Sequence, residues 1–313
     1  MRKIISIFLA ILLVIPFGVV PVFAQGTMPV LSSLSTNIYD SQQNFEYYAG
    51  EKTLTLTNSD PELNNVVSFT STVVFPFLSK DKRVANLQLI MFASWNYNGV
   101  LFMALSDPVR TGRVTKIIEN YLGGESKQPA QIIYTFQYDK GRLIGCATNI
   151  NTYISFHYDD QNRLENINQM DEAGEHLIYN FYYNSNDTLN RVDASNTHQD
   201  DYGYPPTTTW KTETVEYSSA GQVSKVNLYL ASKDWKKVKL SEGESNAECC
   251  FIYNSSNGRL KEVDEFMIGP SSERVKTDTW KCAYDSNGNI TNAELISFIP
   301  GAGQTSHYQY QLI

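Results

Sequence analysis

Four histidines, His157, His176, His198 and His307, are the first places to look for proton-transfer chemistry. None stands in a GxSxG or HExxH context. His157 sits between Phe156 and Tyr158 in an alternating stretch, so it faces away from the tyrosine side and reads as a sheet-surface residue. Carboxylates are abundant, but a glycosidase pair is defined by its separation across a cleft, which spacing along the chain does not mark. The stretch "DSNGNITNAE" sets Asp285, Asn287 and Asn289 at alternating positions, like the opening of a calcium loop. Gly288 comes before the third ligand rather than after it, and Glu294 falls two positions early. No metal or other cofactor is expected, and no catalytic residue is assigned.

The four cysteines, Cys146, Cys249, Cys250 and Cys282, match no CxxC-type zinc spacing. Cys249 and Cys250 would point to opposite faces of a strand and should not pair with each other. The remaining pairings and buried free thiols both stay open. The aromatic side chains, 20 Tyr and 4 Trp, can stack on sugar rings, but tyrosine repeated at hairpin ends mostly packs, with its hydroxyl left at the rim. The loop "DDYGYPPTTTW" places Tyr202, Tyr204 and Trp210 together as a candidate edge for a glycan or an envelope protein. A net charge of −8 without dense basic clusters argues against nucleic acid, since phosphate contacts need Lys and Arg.

The elements that would position these groups begin after a leader. Arg2 and Lys3 precede the apolar run Ile4 to Val14, and Val22 and Ala24 stand just before Gln25 at a signal-peptidase site. Residues 1–24 therefore read as a signal peptide. Its removal takes two basic residues and leaves a net charge of −10. No later segment approaches the length of a membrane span. The mature chain is expected to be soluble and exported to the periplasm, cell surface or exterior, with no membrane contact.

From residue 113 onward one turn is written six times: "YDKGRL" at Tyr138, "YDDQNRL" at Tyr158, "YNSNDTL" at Tyr183, "YSSAGQV" at Tyr217, "YNSSNGRL" at Tyr253 and "YDSNGNI" at Tyr284. Just before the closing pair stands Gly141, Asn162, Asp187, Gly221, Gly258 or Gly288, residue types that tolerate positive φ. The Asp, Asn or Ser after each tyrosine can bond nearby backbone N–H groups and start the turn. Entering strands alternate with the tyrosine, as in Tyr134, Phe136, Tyr138. On the leaving strands the closing aliphatic is followed three residues later by a second apolar residue, as in Leu143 and Cys146. That offset predicts a bulge beside the left-handed residue, returning both side chains to one face. One hairpin cannot bury its apolar face alone, but stacked neighbours can.

"YDKGRLIGC", "YDDQNRLENI" and "YNSSNGRLKEV" resemble the YD repeat of the Rhs class, and the likeness covers about residues 113–313. Rhs proteins and related toxin subunits build β-shells around a cargo from such repeats. Against that family, this chain is expected to have too few repeats to close a shell, and no self-cleavage motif or toxin-like extension is expected. It looks more like the short secreted YD-repeat proteins of the Bacteroidota.

Residues 25–112 lack the turn pattern. "KTLTLTN" (Lys52 to Asn58) and "VVSFTSTVVFPF" (Val66 to Phe77) read as strands. Leu87 to Ser106 reads as two buried strands about Asn98-Gly99. "STNIYDSQQNFEYYAGE" reads as a loosely ordered lead-in. This region is expected to continue or cap the sheet. The sequence thus predicts an all-β fold, a repetitive antiparallel meander of YD-type hairpins in a twisted or curled sheet, with a degenerate N-terminal β portion. The function expected is that of a non-enzymatic binding or scaffold protein whose long-loop edge contacts a glycan or protein. Its rival is a hydrolase or toxin-related factor, which would show convergent carboxylates or a histidine in a concave site.

Overall fold

The computed structural model describes residues 29–36, 41–50, 52–58, 78–93, 101, 104–123, 128–170, 174–198, 206–230, 246–298 and 305–312. The signal segment, Val66 to Phe77, Asn98-Gly99, Tyr202 and Tyr204 lie outside them. Among the described residues seventeen strands form one sheet. In chain order they are β1 (Pro29–Thr36), β2 (Ser41–Gly50), β3 (Thr53–Asn58), β4 (Lys116–Gly123), β5 (Gln128–Asp139), β6 (Arg142–Thr148), β7 (Tyr153–Tyr158), β8 (Leu164–Met170) and β9 (His176–Tyr183). Then follow β10 (Leu189–His198), β11 (Thr207–Tyr217), β12 (Val223–Leu230), β13 (Asn246–Tyr253), β14 (Leu260–Ile268), β15 (Arg274–Tyr284), β16 (Ile290–Ser297) and β17 (Thr305–Leu312). Helix α1 (Lys82–Ala93) and the single turn α2 (Asp107–Arg110) fall between β3 and β4.

Each strand pairs with the next, and β17 pairs back onto β1, with Ser35 opposite His307 and Thr36 opposite Ser306. The ladder therefore returns on itself and leaves no open edge. Every pairing is antiparallel except β3–β4, where Thr53 faces Lys116 and Thr57 faces Asn120. Each antiparallel ladder reverses strand direction, so a closed ring needs an even number of them. The one parallel pair is what lets seventeen strands close. A parallel pair also needs a crossover, and that crossover carries α1 and α2. The expectation of too few repeats to close a shell is corrected on this point: β1 to β4 supply the arc that the hairpins lack.

The inner face is mainly apolar, with a few buried acids such as Glu119 and Glu213. Phe136, Leu143, Cys146, Ile154, Ile167, Tyr179, Val192, Val226, Cys249, Val263 and Ile290, from strands around the ring, are all buried in one cluster with Leu89, Ile90 and Met91 of α1. Rings of sixteen to eighteen strands are too wide for their own side chains to fill. Here α1 occupies the interior, with Phe92 edge-on to Trp280 of β15 at 6.0 Å between centroids. This corrects the reading of Leu87 to Ser106 as two strands where that stretch is described: Leu87 to Ala93 are helical. The inner half of the helix, Gln88 to Met91, is buried residue after residue, so that stretch shows no amphipathic period to betray a helix. The lead-in reading of residues 35–51 is corrected too: most of that stretch is strand, in β1 and β2, and β2 pairs on both sides, with β1 and β3.

A bulge occurs in all six hairpins, one residue after the closing aliphatic rather than beside the left-handed residue. Tyr158 faces Leu164 and His157 faces Asn166, so Glu165 is the extra residue. The same step separates Tyr138 from Gln137, Tyr217 from Glu216, Tyr253 from Ile252 and Tyr284 from Ala283, and in the third hairpin it falls at Asn190. It brings both apolar residues of each leaving strand inward, Leu164 with Ile167 and Val223 with Val226. The outer face is charged. Lys225 lies 2.7 Å from Glu216 and 3.7 Å from Glu248, Arg274 pairs with Glu248, and Lys276 with Asp264 at 2.6 Å.

Candidate functional site

The six tips lie in a row on one rim of the ring. φ is positive at Gly141 (81°), Asn162 (62°), Asp187 (63°), Gly221 (70°), Gly258 (67°) and Gly288 (91°), and at Lys140 in the first, two-residue turn. The residue after the tyrosine closes most turns. Asp159 Oδ1 accepts the Gln161 and Arg163 N–H groups, Asn254 Oδ1 that of Ser256, and Asp285 Oδ1 that of Asn289. The Asn289 amide and N–H hold the Asp285 carboxyl below its ordinary pKa.

The tyrosines bind the tips to one another. Tyr158 Oη–H donates to the Leu143 carbonyl of the preceding hairpin at 2.9 Å. Tyr183 does the same to Leu164 at 2.7 Å, and Tyr217 to Leu189 at 2.8 Å. Tyr138, which has no preceding tip, reaches the carbonyls of Val109 and Val114 beside α2. Burial raises the pKa of the Tyr217 phenol to about 12 and pushes that of Tyr183 higher still, so both remain donors.

In four of the six hairpins the side chain before the closing aliphatic points forward to the next tip, whereas Thr188 and Asn289 bond within their own turns. Arg142 lies over the Tyr158 ring at 4.7 Å and donates to Asn162 Oδ1 at 2.7 Å. Arg163 lies over Tyr183 at 4.6 Å, donates to Asp187 Oδ1 at 2.8 Å and pairs back to Asp159 at 2.7 Å. Gln222 donates to the Gly258 carbonyl, and Arg259 to that of Asp285. Sequence reasoning misses this forward link, although the recurrent Arg between the left-handed residue and Leu is its signal.

Helix α1 enters at the same rim. Asp81 caps it, accepting the Arg83 N–H at 2.9 Å. Lys82 donates to the Ala220 carbonyl, and Asn86 bonds Gly221 O and the Val223 N–H, which pins the helix to the β11–β12 tip. Asp107 gathers Ser79 Oγ, the Lys80 N–H and Arg110. Burial alone would raise its pKa, but these donors outweigh it and hold the carboxyl below its ordinary value.

Between α1 and the tips lies a cleft of about 810 Å³. It is lined by Asp81, Lys82, Arg83 and Asn86, by Arg110, and by the tips of four hairpins, including Lys140, Arg142, Gln161, Asn162, Arg163, Tyr183, Asp187 and Gly221. No histidine lines it among the described residues. His157 bonds Ser155 on the outer face, and exposed His198 and His307 lie near Glu175 and Glu294. Trp210 stands on β11 opposite Ser195, on the outer face and away from the tips. All four thiols are free. Burial raises the pKa of Cys146 and Cys282 to about 12, which suits packing rather than nucleophilic attack. Among the described residues no group of three His, Cys, Asp or Glu is placed to hold a metal.

No family model and no curated protein matches the chain. Among solved structures, it is similar to a porin-like protein from Bacteroides uniformis ATCC 8492, at 16% identity and a TM-score of 0.35, covering 59% of this chain and 79% of that one. It is also similar to a porin-like protein from Bacteroides vulgatus ATCC 8482, at 10% identity and 0.36, covering 63% and 96%. A third similar chain is from TcdB2-TccC3-TEV, at 11% identity and 0.18, covering 53% of this chain and 11% of that one.

Proposed function

We propose that this is an exported, non-enzymatic binding and scaffold protein of the YD-repeat type, working at the envelope or outside the cell, with the tip-rim cleft as its ligand site. The cleft carries this reading. It is a concave surface built from four hairpin tips and a helix, each locked to its neighbour by the tyrosine and arginine links, so it is preorganised for binding. Its chemistry favours holding over reacting. Asp187 is engaged by Arg163 and Asp81 by the helix N–H, which leaves Asp139 without an opposed partner acid among the described residues. The charged outer face supports a water-facing setting, because barrels that span lipid carry the reverse pattern, apolar outside and polar within.

The ligand class proposed is a glycan, met by planar amide, guanidinium and phenol groups. The edge of Tyr202, Tyr204 and Trp210 is the competing location. A glycan array on the protein lacking residues 1–24 separates the two, run beside Gln161→Trp, which puts bulk into the cleft at an exposed turn, and beside deletion of residues 200–204. The proposal expects Gln161→Trp to abolish binding and the deletion to leave it intact. The reverse result moves the site to the long-loop edge.

A further inference from the structure

We infer that the tip-rim cleft selects an anionic saccharide, one bearing carboxylate or sulfate groups. This rests on the binding reading above and adds the charge of the ligand. The chain as a whole is acidic, with a net charge of −8, yet the cleft has the opposite sign. Arg142 is bonded to the neutral amide of Asn162 and lies over a phenol ring, so its charge is not cancelled. The Lys82 ammonium donates to a carbonyl, again a neutral group. Lys140 and Arg83 are exposed on the wall. No ion pair joins any of these four to a carboxylate among the described residues. Three acids share the wall, Asp187 paired with Arg163, Asp81 capping α1 and the exposed Asp139, against six cations, Lys82, Arg83, Arg110, Lys140, Arg142 and Arg163, so its balance is positive.

A concave wall focuses such a field and concentrates anions at it. Guanidinium groups recognise carboxylate and sulfate through paired N–H donors. The volume argues for a saccharide rather than a simple ion, since about 810 Å³ lies in the range that encloses an organic ligand of several rings. The amides of Gln161 and Asn162 on the same wall offer hydrogen bonds that a bare ion has no hydroxyls to use.

The test is calorimetric titration of the protein lacking residues 1–24 with oligogalacturonate, chondroitin sulfate oligosaccharide, maltohexaose and tripolyphosphate, each at low and high salt. The double variant Arg83→Gln/Lys140→Gln changes only exposed side chains and should fold, which circular dichroism checks. The inference expects one of the acidic oligosaccharides to bind, with affinity reduced about tenfold by the double variant and further by salt. It expects maltohexaose and tripolyphosphate to bind at least tenfold more weakly. Tripolyphosphate binding equal to that of the saccharides overturns the inference in favour of plain ion exchange. Binding of maltohexaose, blocked by Gln161→Trp but indifferent to the double variant, overturns charge selection while keeping the cleft as the site. Acidic saccharide binding untouched by either substitution overturns both readings, and no binding by any of the four overturns the inference.

Discussion

Tyr158 and Tyr253 hold equivalent places in their hairpins, facing Leu164 and Leu260 across the same bulge. Their hydroxyls do not share a fate. Tyr158, Tyr183 and Tyr217 each donate to the carbonyl of the preceding hairpin, whereas the buried Tyr253 hydroxyl has no hydrogen-bond partner among the described residues. Tyr284 turns instead to the Cys282 thiol of its own strand. The forward link loosens over the same arc: Arg142 and Arg163 lie within 4.7 Å of the next ring, but Arg259 stands 5.7 Å from Tyr284. The ring packs against the core in both arcs. Burial of the ring is thus the common function of the repeated tyrosine, and the hydroxyl latch is an addition that one arc uses and the other does not.

Removing the rings should hit both arcs alike. Tyr158→Ala and Tyr253→Ala are each expected to cost about 2–4 kcal/mol in urea unfolding. A cost confined to Tyr158 would make the latch, not the packing, the essential part. Next in size is an acid of the second arc. Burial, helped by the charge of Asp278 and opposed by the Trp280 indole, raises the Glu265 pKa from its ordinary 4.5 to about 7. The folded state then binds more protons than the unfolded one between those values, so this group's contribution falls as pH rises through them. Glu265→Gln should add up to about 2–3 kcal/mol at pH 8 and little at pH 4. A pH-independent effect would remove burial as the cause.

Conversion to Phe separates hydroxyl from ring. Tyr158→Phe should cost about 1 kcal/mol, while Tyr253→Phe should be neutral or slightly stabilising, since it removes a buried unbonded group. Equal losses would contradict the difference between the arcs. Smallest is the forward link itself. Gln222→Ala, losing one exposed bond to Gly258 at the joint between the arcs, should cost about 0.5 kcal/mol in the same assay.

Much of the repeat was legible because each turn states its needs locally. A residue able to take positive φ, an Asx-type side chain and an alternating strand are all written within a few positions. The bulge was legible from the three-residue offset, though it sits one residue past the closing aliphatic. Features joining distant segments were not. The inner half of α1 read as strand because Gln88 to Met91 are all buried, and the helix's anchor to Gly221 spans 135 residues. The cleft was missed for the same reason: Arg83 and Arg142 come together only once the helix is threaded into the ring. Closure was hidden in β1 and β2, whose polar composition suggests a loose lead-in and whose order comes from pairing.

The most direct test of the closed ring is a cross-link between its ends. Ser35→Cys and His307→Cys, introduced together in a chain whose four native cysteines are replaced by serine or alanine, should form a disulfide across the β1–β17 ladder, because these residues are register partners. The expected result is a mobility shift on a non-reducing gel that reduction reverses, with neither thiol alkylated in the native protein. Two freely alkylated thiols and no shift would show that the sheet does not close.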